Sequence, residues 1–375
     1  MKKYEEFTVN QSAIAGIQKL LAKEIEHELQ PMMVGAQLFT VDTSLVGVGG
    51  KTKPFRHESD ITGITTFGDG AVIPDVTSAT QTMIDITPED NLGGKETITA
   101  DAIQYADYNV INDVKTLLAL AMAKAKDEIY WKKITAATDV VDEAVGTGDA
   151  STQWFQLAHG ADVNPNEGIL KVTAVSVAGT AKALGTDYFI DFYKGWLYFA
   201  TAPATSAAIV SSYTWANGTT GANVGMKTVD SLEAAKASYK DLIAGKSEVV
   251  SAYGKPDVAV LNQNEVGDLL ADDKFLAAAA SASGEKVILN GQISRAAGLD
   301  VLESQMMYEG VIAVMKKKMI GYDVYKEKLS SEIEKIVGTK GSVYAKIWEK
   351  SMPGITRPSL IALVFNCHKY TKKKV

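Results

Sequence analysis

The chain has 375 residues, 46% hydrophobic and 22% charged, with a mean hydropathy of −0.01, the composition of a globular protein with room for two or three folded units. Lys and Arg number 38 against 45 Asp and Glu, a net charge of −7, which argues against a protein whose main work is gripping nucleic acid. No run approaches the roughly 20 apolar residues of a membrane span, and the opening MKKYEEFTVN lacks the apolar stretch of a secretory signal.

Residues 1–50 read as an N-terminal arm. Ile14, Ile17, Leu20, Leu21 and Ile25 recur at helical spacing, Pro31 closes that segment, and a glycine-rich stretch at 47–50 follows. Residues 51–99 have another texture: ten of these 49 residues are Thr, large apolar residues are sparse, and Gly68, Gly70 and Pro74 punctuate the middle. This pattern predicts a long polar β-hairpin of two arms, each about 22 residues and about 70 Å long at about 3.3 Å per residue. An isolated two-stranded ribbon is marginal in water, so its sparse apolar side chains, Phe55, Ile61, Phe67, Ile73 and Ile84, are expected to find partners between chains.

The stretch 100–145 is dominated by a helical pattern over 101–137. Val110, Ile111, Val114, Leu117, Leu118, Ala121, Met122, Ala125 and Ile129 are expected on the buried face, with Lys124, Lys126 and Asp127 off it. Uninterrupted, such a helix would be about 55 Å long at about 1.5 Å per residue. Composition then breaks at 146–224: eight of these 79 residues are charged, and eleven of the chain's aromatic residues lie here. Strand-like runs at 170–177, 188–193, 196–200 and 208–213, with a tight turn at Lys194 and Gly195, predict an inserted all-β sandwich, folded as a module of its own.

Residues 225–325 are expected to be an α+β unit: a helix at 229–244, a strand at 257–261, a helix at 264–270 that extends through 275–280, and strands at 299–303 and 311–315. Residues 326–375 close the chain with strand-like runs at 342–348 and 360–367. The one cysteine, Cys367, excludes an intrachain disulfide framework and is expected as a buried thiol. Lys372, Lys373 and Lys374 read as a solvated, frayed terminus.

Catalytic constellations end in near misses. Gly50-Lys51-Thr52 and Gly245-Lys246-Ser247 resemble the end of a phosphate loop, but the first glycine is replaced by Leu45 and Lys240, so both are expected to be turns. Asp162, Asn164 and Asn166 have calcium-loop spacing, yet Glu167 and Thr173 occupy the positions that need Gly and Glu. His27, His57, His159 and His368 are never three or four residues apart, so no zinc site follows from local spacing. The reading is non-enzymatic, with no catalytic residue, no cofactor and no metal.

The order of these parts, together with the loop Gly291-Gln292-Ile293-Ser294-Arg295-Ala296-Ala297-Gly298-Leu299-Asp300-Val301, resembles the major capsid protein of tailed bacteriophages and tailed archaeal viruses, with the Hong Kong 97-type fold. Lys255-Pro256-Asp257-Val258-Ala259-Val260-Leu261-Asn262 is similar to that family's axial strand leading into a helix, and 293–304 followed by 310–314 to its axial loop and return strand. The resemblance implies an α+β fold: N-arm (1–50), E-loop hairpin (51–99), spine helix of the peripheral domain (100–145), axial domain (225–325) and C-terminal peripheral strands (326–375), with 146–224 as the inserted β-sandwich. It also implies a structural protein of an icosahedral shell around double-stranded DNA. Its partners would be copies of itself in pentamers and hexamers, a separate scaffold protein and a portal, with no membrane partner. It would be assembled in the host cytoplasm and reside in the virion. Two alternatives stay open, an encapsulin-type nanocompartment shell and a carbohydrate-binding or adhesin protein acting through the β insert. A sandwich core would bury Trp154, Trp196 and Trp215, whereas a sugar platform would expose at least one of them.

Overall fold

The computed structural model describes residues 33–58, 81–88, 90–105, 110–219, 223–233, 235–252, 254–272, 295–337, 339 and 341–374. Strands β1 (Thr40–Asp42), β2 (Lys53–Glu58), β3 (Gln81–Ile86) and β4 (Leu92–Ile98) precede helices α1 (Ala100–Tyr105) and α2 (Val110–Ile134). A β-rich stretch follows with β5 (Ala137–Thr147), β6 (Trp154–Gln156), β7 (Glu167–Val177), β8 (Thr180–Ala181), β9 (Tyr188–Asp191), β10 (Trp196–Phe199) and β11 (Ala208–Asn217). The chain continues through β12 (Lys227–Asp230), α3 (Tyr239–Ser251), β13 (Val258–Leu261), α4 (Gln263–Leu270), β14 (Arg295–Ala296), β15 (Leu299–Glu303) and β16 (Ile312–Met315). It ends with β17 (Gly321–Lys335), β18 (Val343–Ile355) and β19 (Ile361–Phe365).

A six-stranded sheet, ordered β12-β19-β16-β13-β15-β14, is the centre of the molecule. Its middle strands VAVL, IAVM and IALVF are buried at every position, as continuous apolar runs must be when both faces are covered. Alternate residues serve opposite faces. Ala259, Leu261, Ile312, Val314, Ala362 and Val364 pack under α3 and α4 with Leu242, Val249, Val266 and Leu269. Val258, Val260, Ala313, Met315, Leu363 and Phe365 face Trp131 of α2 and Ile169 of β7. Each such side chain contributes about 1.5–3 kcal/mol on burial. Helix α3 starts after Ser238, whose backbone N–H and hydroxyl both donate to Asp241 Oδ2 at 2.9 and 2.7 Å. Gly245 lies inside α3, not in a turn: a Cβ there would meet Val314 Cγ2 at 2.8 Å, so glycine lets the helix sit close to the sheet.

The four-stranded sheet β1-β17-β18-β4 is built on the long antiparallel β17–β18 hairpin. Its arrangement corrects the expectation for 51–99. Only β2 and β3 pair with each other, from Lys53 opposite Ile86 to Glu58 opposite Gln81, while Leu92–Ile98 leaves the ribbon and pairs with β18. Gly93 permits this, because a Cβ there would meet Ile347 O at 2.5 Å. Ile61, Phe67 and Ile73 lie outside the described residues.

The long helix ends at Ile134 rather than at 137; 100–105 and 110–134 are helical, and 106–109 lie outside the described residues. The 25 residues of α2 span about 37 Å at about 1.5 Å per residue. Lys132 and Lys133 occupy its last turn, where cations favour the C-terminal end of the helix dipole. Ala136, at φ 47°, then turns the chain into β5. Its buried face is Ala119, Met122, Ala123, Lys126, Asp127, Tyr130, Trp131 and Ile134, and Leu117 is exposed. Two charged residues thus take core positions.

The β-rich stretch starts at Ala137 rather than at 146 and forms two sheets, β5-β11-β7-β8 and β6-β10-β9. Leu157, Ile169, Ile190, Leu197, Phe199, Ile209 and Tyr213 fill it. Gly195, at φ 78°, turns β9 into β10. Its side chains share one core with α2 and the six-stranded sheet, where a separate module was expected to have a core of its own. Gly168 at the start of β7 lies so close to β19 that a Cβ would meet the Phe365 ring at 2.7 Å.

Three boundaries after 225 also differ from expectation. Lys227–Asp230 is a strand parallel to β19, and the helix starts only at Tyr239. Residues 321–335, with their alternating charged residues, are one long strand. Ile361–Phe365 belongs to the six-stranded sheet rather than to peripheral strands.

Candidate functional site: ribbon base, buried lysine and aromatic face

The ribbon is anchored at its base by its own chain. Phe55 stacks on Tyr322 with ring centroids 4.2 Å apart and planes at 17°. The two rings and Met352 pack against the small buried cluster of Leu45, Ile86 and Val324. Phe55 is therefore an intrachain anchor, contrary to the expectation that its partners lie between chains. Ile84 stands opposite Phe55 in the ladder and is half-buried. Around them Val41, Val48 and Met83 are exposed, at 58%, 53% and 64%. On α2, Leu117 is exposed at 64% and Leu120 at 37%. Exposed apolar side chains of this kind are what an association surface needs.

Between α2 and the β17–β18 hairpin lies a polar network that sequence periodicity missed. Lys126 Nζ donates to Tyr325 OH at 2.6 Å and lies 2.5 Å from Glu349 Oε1 and 3.7 Å from Asp323 Oδ2. Tyr130 OH donates to Asp323 Oδ2 at 2.5 Å, and Ser351 Oγ to Glu349 Oε1 at 2.9 Å. Burial pulls the Lys126 ammonium down, but Asp323 and Glu349 outweigh it and hold its pKa above the ordinary value. Burial, reinforced by Asp323, likewise pushes the Tyr130 phenol up. The next residue, Asp127, accepts at Oδ1 from Gly35 N at 2.6 Å and at Oδ2 from Ser304 Oγ at 2.9 Å and Trp131 Nε1 at 3.2 Å. Lys126 and Asp127 thus tie the helix to three separate segments. The only sequence signal was a Lys-Asp pair inside a helix at the i, i+3/i+4 spacing of Met122, Ala123, Tyr130 and Trp131.

The third feature is the outer face of the sheet β6-β10-β9. Trp154, Tyr198 and Phe189 stand in one row across the three strands, with centroids 5.0 Å apart for Trp154–Tyr198 and 6.4 Å for Phe189–Tyr198. The lysine-rich terminus covers this face and is not frayed. Lys372 Nζ lies over the Tyr198 ring at 3.1 Å and Lys374 Nζ over the Trp196 ring at 2.8 Å. The backbone is fixed as well, with Lys372 N donating to Ile190 O at 3.0 Å, Lys374 N to Asp191 Oδ2 at 3.0 Å and Lys194 Nζ to Lys374 O at 2.6 Å. Lys373 pairs with Asp230 at 2.9 Å. Asn366 pins the start of this segment: its Oδ1 accepts from Phe192 N at 2.8 Å, and its Nδ2 donates to Asp191 Oδ1 at 2.9 Å and Asp230 Oδ1 at 2.7 Å. Trp215 is buried, stacked on His159 at 3.7 Å, whereas Trp154 and Trp196 are half-buried and Trp196 Nε1 donates to Asp162 Oδ2 at 2.7 Å.

The remaining motifs resolve locally. Asn164 Nδ2 donates to Glu167 Oε1 at 3.1 Å, within the same loop as Asp162. Residues 47–50 form a turn whose Val48 and Gly50 carbonyls accept from Lys326. Cys367 is buried, 1% exposed. Among the described residues no group of three or more His, Cys, Asp or Glu is placed to hold a metal ion, and no helix is long and apolar enough to cross a membrane.

The parts in this order define a class. A ribbon rooted on a long β hairpin, a long helix and a six-stranded α+β unit make the Hong Kong 97-type fold of tailed-phage capsid subunits. Solved structures place the chain within that fold. It matches a chain of Mycobacterium phage Che8 with a TM-score of 0.52 at 10% identity, over 91% of this chain and 92% of that one. It matches the capsid of cyanophage P-SCSP1u with a TM-score of 0.53 at 12% identity, over 89% and 88%. It matches the mature capsid of bacteriophage PhiM1 with a TM-score of 0.51 at 10% identity, over 89% and 86%. No family model matches the chain, and no curated protein matches it.

Proposed function

We propose that this chain is the structural subunit of a closed viral shell, self-assembled as pentamers and hexamers around double-stranded DNA. The observation that carries the reading is the correspondence of fold along nine-tenths of both chains with phage capsid subunits. The ribbon supports it physically: among the described residues β2 and β3 pair only with each other, and a two-stranded ribbon needs further contacts for stability. A neighbouring subunit supplies such contacts when copies close into a shell. A separate scaffold protein and a portal belong to the same proposal, as does assembly in the host cytoplasm.

The aromatic face does not favour the sugar-binding alternative. Trp215 is buried, and lysines from the same chain sit over Trp196 and Tyr198. Negative-stain microscopy of the purified protein tests the proposal: closed shells of uniform size are expected. Particles filled with a cargo protein instead of DNA would indicate a nanocompartment, and a protein that stays monomeric at high concentration would overturn the shell reading.

A further inference from the structure

The six-stranded sheet is polarised in charge from one end to the other. Its strand registers align a row running from Ile361 through Met315 and Val258 to Asp300 and Arg295, and Lys227 on β12 stands one position off it, beside Ala362. With strands about 4.8 Å apart, this edge of the sheet is about 24 Å long. The segments that enter and leave the sheet along it are basic: Lys255 precedes β13, Lys316, Lys317 and Lys318 follow β16, and Arg357 precedes β19. Three acids accompany them. Asp257 is held by Lys316 Nζ at 2.7 Å and Lys317 N at 2.7 Å. Asp300 lies 3.8 Å from Arg295, and Glu248 sits half-buried on the last turns of α3. Lys255, Lys318 and Arg357 are exposed, and among the described residues no carboxylate lies within ion-pair distance of them.

At the opposite end β12 finishes at Asp230 and β15 at Glu303, and the adjoining segments carry Glu233, Glu265, Asp268 and Glu309. The cations there are bound within the chain, Lys373 to Asp230 at 2.9 Å and Lys240 to Glu233 at 3.1 Å. A chain of net charge −7 therefore gathers unpaired cations on one edge of its central sheet.

We infer that this basic edge, centred on Lys255, Lys317, Lys318 and Arg357, is a docking surface for the phosphate backbone of duplex DNA. The inference rests on the shell reading for the presence of DNA, and it names the surface that meets it. The chemistry favours phosphate over a protein partner. Protein interfaces are anchored by buried aromatic and Arg side chains, whereas the large apolar side chains exposed at this edge are aliphatic, among them Met319 at 45% and Val250 at 50%. Lysines are hydrated point charges on flexible stems, suited to phosphates without reading bases. Duplex DNA carries about one charge per 1.7 Å of axis, so an edge of about 24 Å meets more than enough phosphates.

The test uses unassembled subunits and a fluorescent duplex of about 20 base pairs, with anisotropy read between 50 and 200 mM salt. Salt-dependent binding is expected of the native chain. K255Q/K317Q/K318Q/R357Q should bind at least tenfold more weakly at 50 mM salt, its log–log salt slope smaller by about 0.9 for each phosphate that is no longer neutralised. K236Q/K240Q/K369Q, at the acidic end, should bind within twofold of the native chain. If the quadruple variant does not fold by circular dichroism, K255Q and K318Q separately should each lower the slope by about 0.9. Equal binding by the native and quadruple chains would overturn the inference, as would an equal loss in the acidic-end control. Tighter binding of polyglutamate than of the duplex would overturn it in favour of an acidic protein partner. Microscopy of the same samples separates the two readings: shells from a chain that ignores DNA remove this inference alone, and DNA binding without shells removes the shell reading alone.

Discussion

The two-sheet region at 137–217 and the ribbon of β2 and β3 are both β structure, and they are stabilised by opposite means. The first surrounds Leu197, Phe199, Ile209 and Tyr213 and continues into the core of the six-stranded sheet. The second owns no core and is rooted through Phe55 and Ile86 in a cluster with Leu45 and Val324. Burial makes the first rigid and intolerant of change. A shallow root leaves the second with few contacts of its own, as the proposed role of a clasp on a neighbouring subunit requires. The four-stranded sheet lies between these extremes, because much of its link to α2 is polar.

The largest expected effect tests the filled core. Phe199→Ala empties a position 2% exposed that meets Phe155 edge-on at 5.7 Å. Removing a buried phenyl ring costs about 3–5 kcal/mol, read by urea unfolding of the unassembled subunit. Because the core is shared, the transition should remain single. Two separate transitions would mean that 137–217 folds alone after all, and the contrast with the ribbon would lose its basis.

A similar loss is expected from Lys126→Met, for a different reason. The substitution keeps the apolar stem but leaves Asp323 and Glu349 buried together without their cation. Breaking a buried pair in this way costs about 3–5 kcal/mol. Adding Glu349→Gln should recover part of it by removing one uncompensated charge. A Lys126→Met subunit as stable as the native one would show that the network contributes nothing net, and that apolar contacts alone hold α2 to the hairpin.

These two positions also show what sequence can and cannot carry. The strands at 257–261, 311–315 and 360–367 were legible because an all-buried strand leaves a continuous apolar run bounded by turn residues. The face of α2 was not, since Lys126 and Asp127 occupy core positions and a hydrophobicity pattern scores them as surface. Residues 321–335 hid for a related reason: KEKLSSEIEK alternates charge along a strand whose outer end is solvated. The lysine terminus was misread because three cations imply solvent until Trp196, Tyr198 and Asp230 are seen beneath them. Of the five ribbon side chains, Phe55 was expected to find its partner between chains, yet it stacks on Tyr322 of its own chain, 267 residues away, and no local pattern points to that ring.

A pH titration sharpens the comparison from within the well-packed half. Glu265 on α4 is 2% exposed, its Oε1 accepts from Gly310 N at 2.6 Å, and its Oε2 has no hydrogen-bond partner among the described residues. Burial pushes its pKa up from 4.5 to about 7, against the opposing pull of the Gly310 N–H. A folded pKa above the unfolded one means the native state holds the proton more tightly. The associated stability is full below pH 4.5 and is lost as pH rises through 7. At about 1.4 kcal/mol per unit, the loss is about 3 kcal/mol. Glu265→Gln should therefore unfold at a urea concentration that falls less between pH 5 and pH 8 than that of the native chain. Parallel pH profiles would show that this carboxyl is not titrating in the folded state.

The smallest effect on the subunit is expected at the ribbon's root. Phe55 is half-buried and shares one stacked contact with Tyr322, so Phe55→Ala should cost about 1–2 kcal/mol, the loss of partial burial plus a stacking pair. Phe55→Leu keeps most of the apolar area and should recover about half. The consequence for assembly should be larger than for folding. The ring fixes the angle at which β2 and β3 leave the β17–β18 hairpin, and an error there is multiplied along the length of the ribbon. Light scattering of assembling subunits should show delayed or abortive shell formation for Phe55→Ala, under conditions where circular dichroism shows an unchanged fold. A Phe55→Ala chain that unfolds as readily as Phe199→Ala would place the ribbon's root inside the common core. One that assembles at the native rate would show that the ribbon's direction is set elsewhere, and the proposed division between a rigid core and an adaptable arm would have to be redrawn at that point.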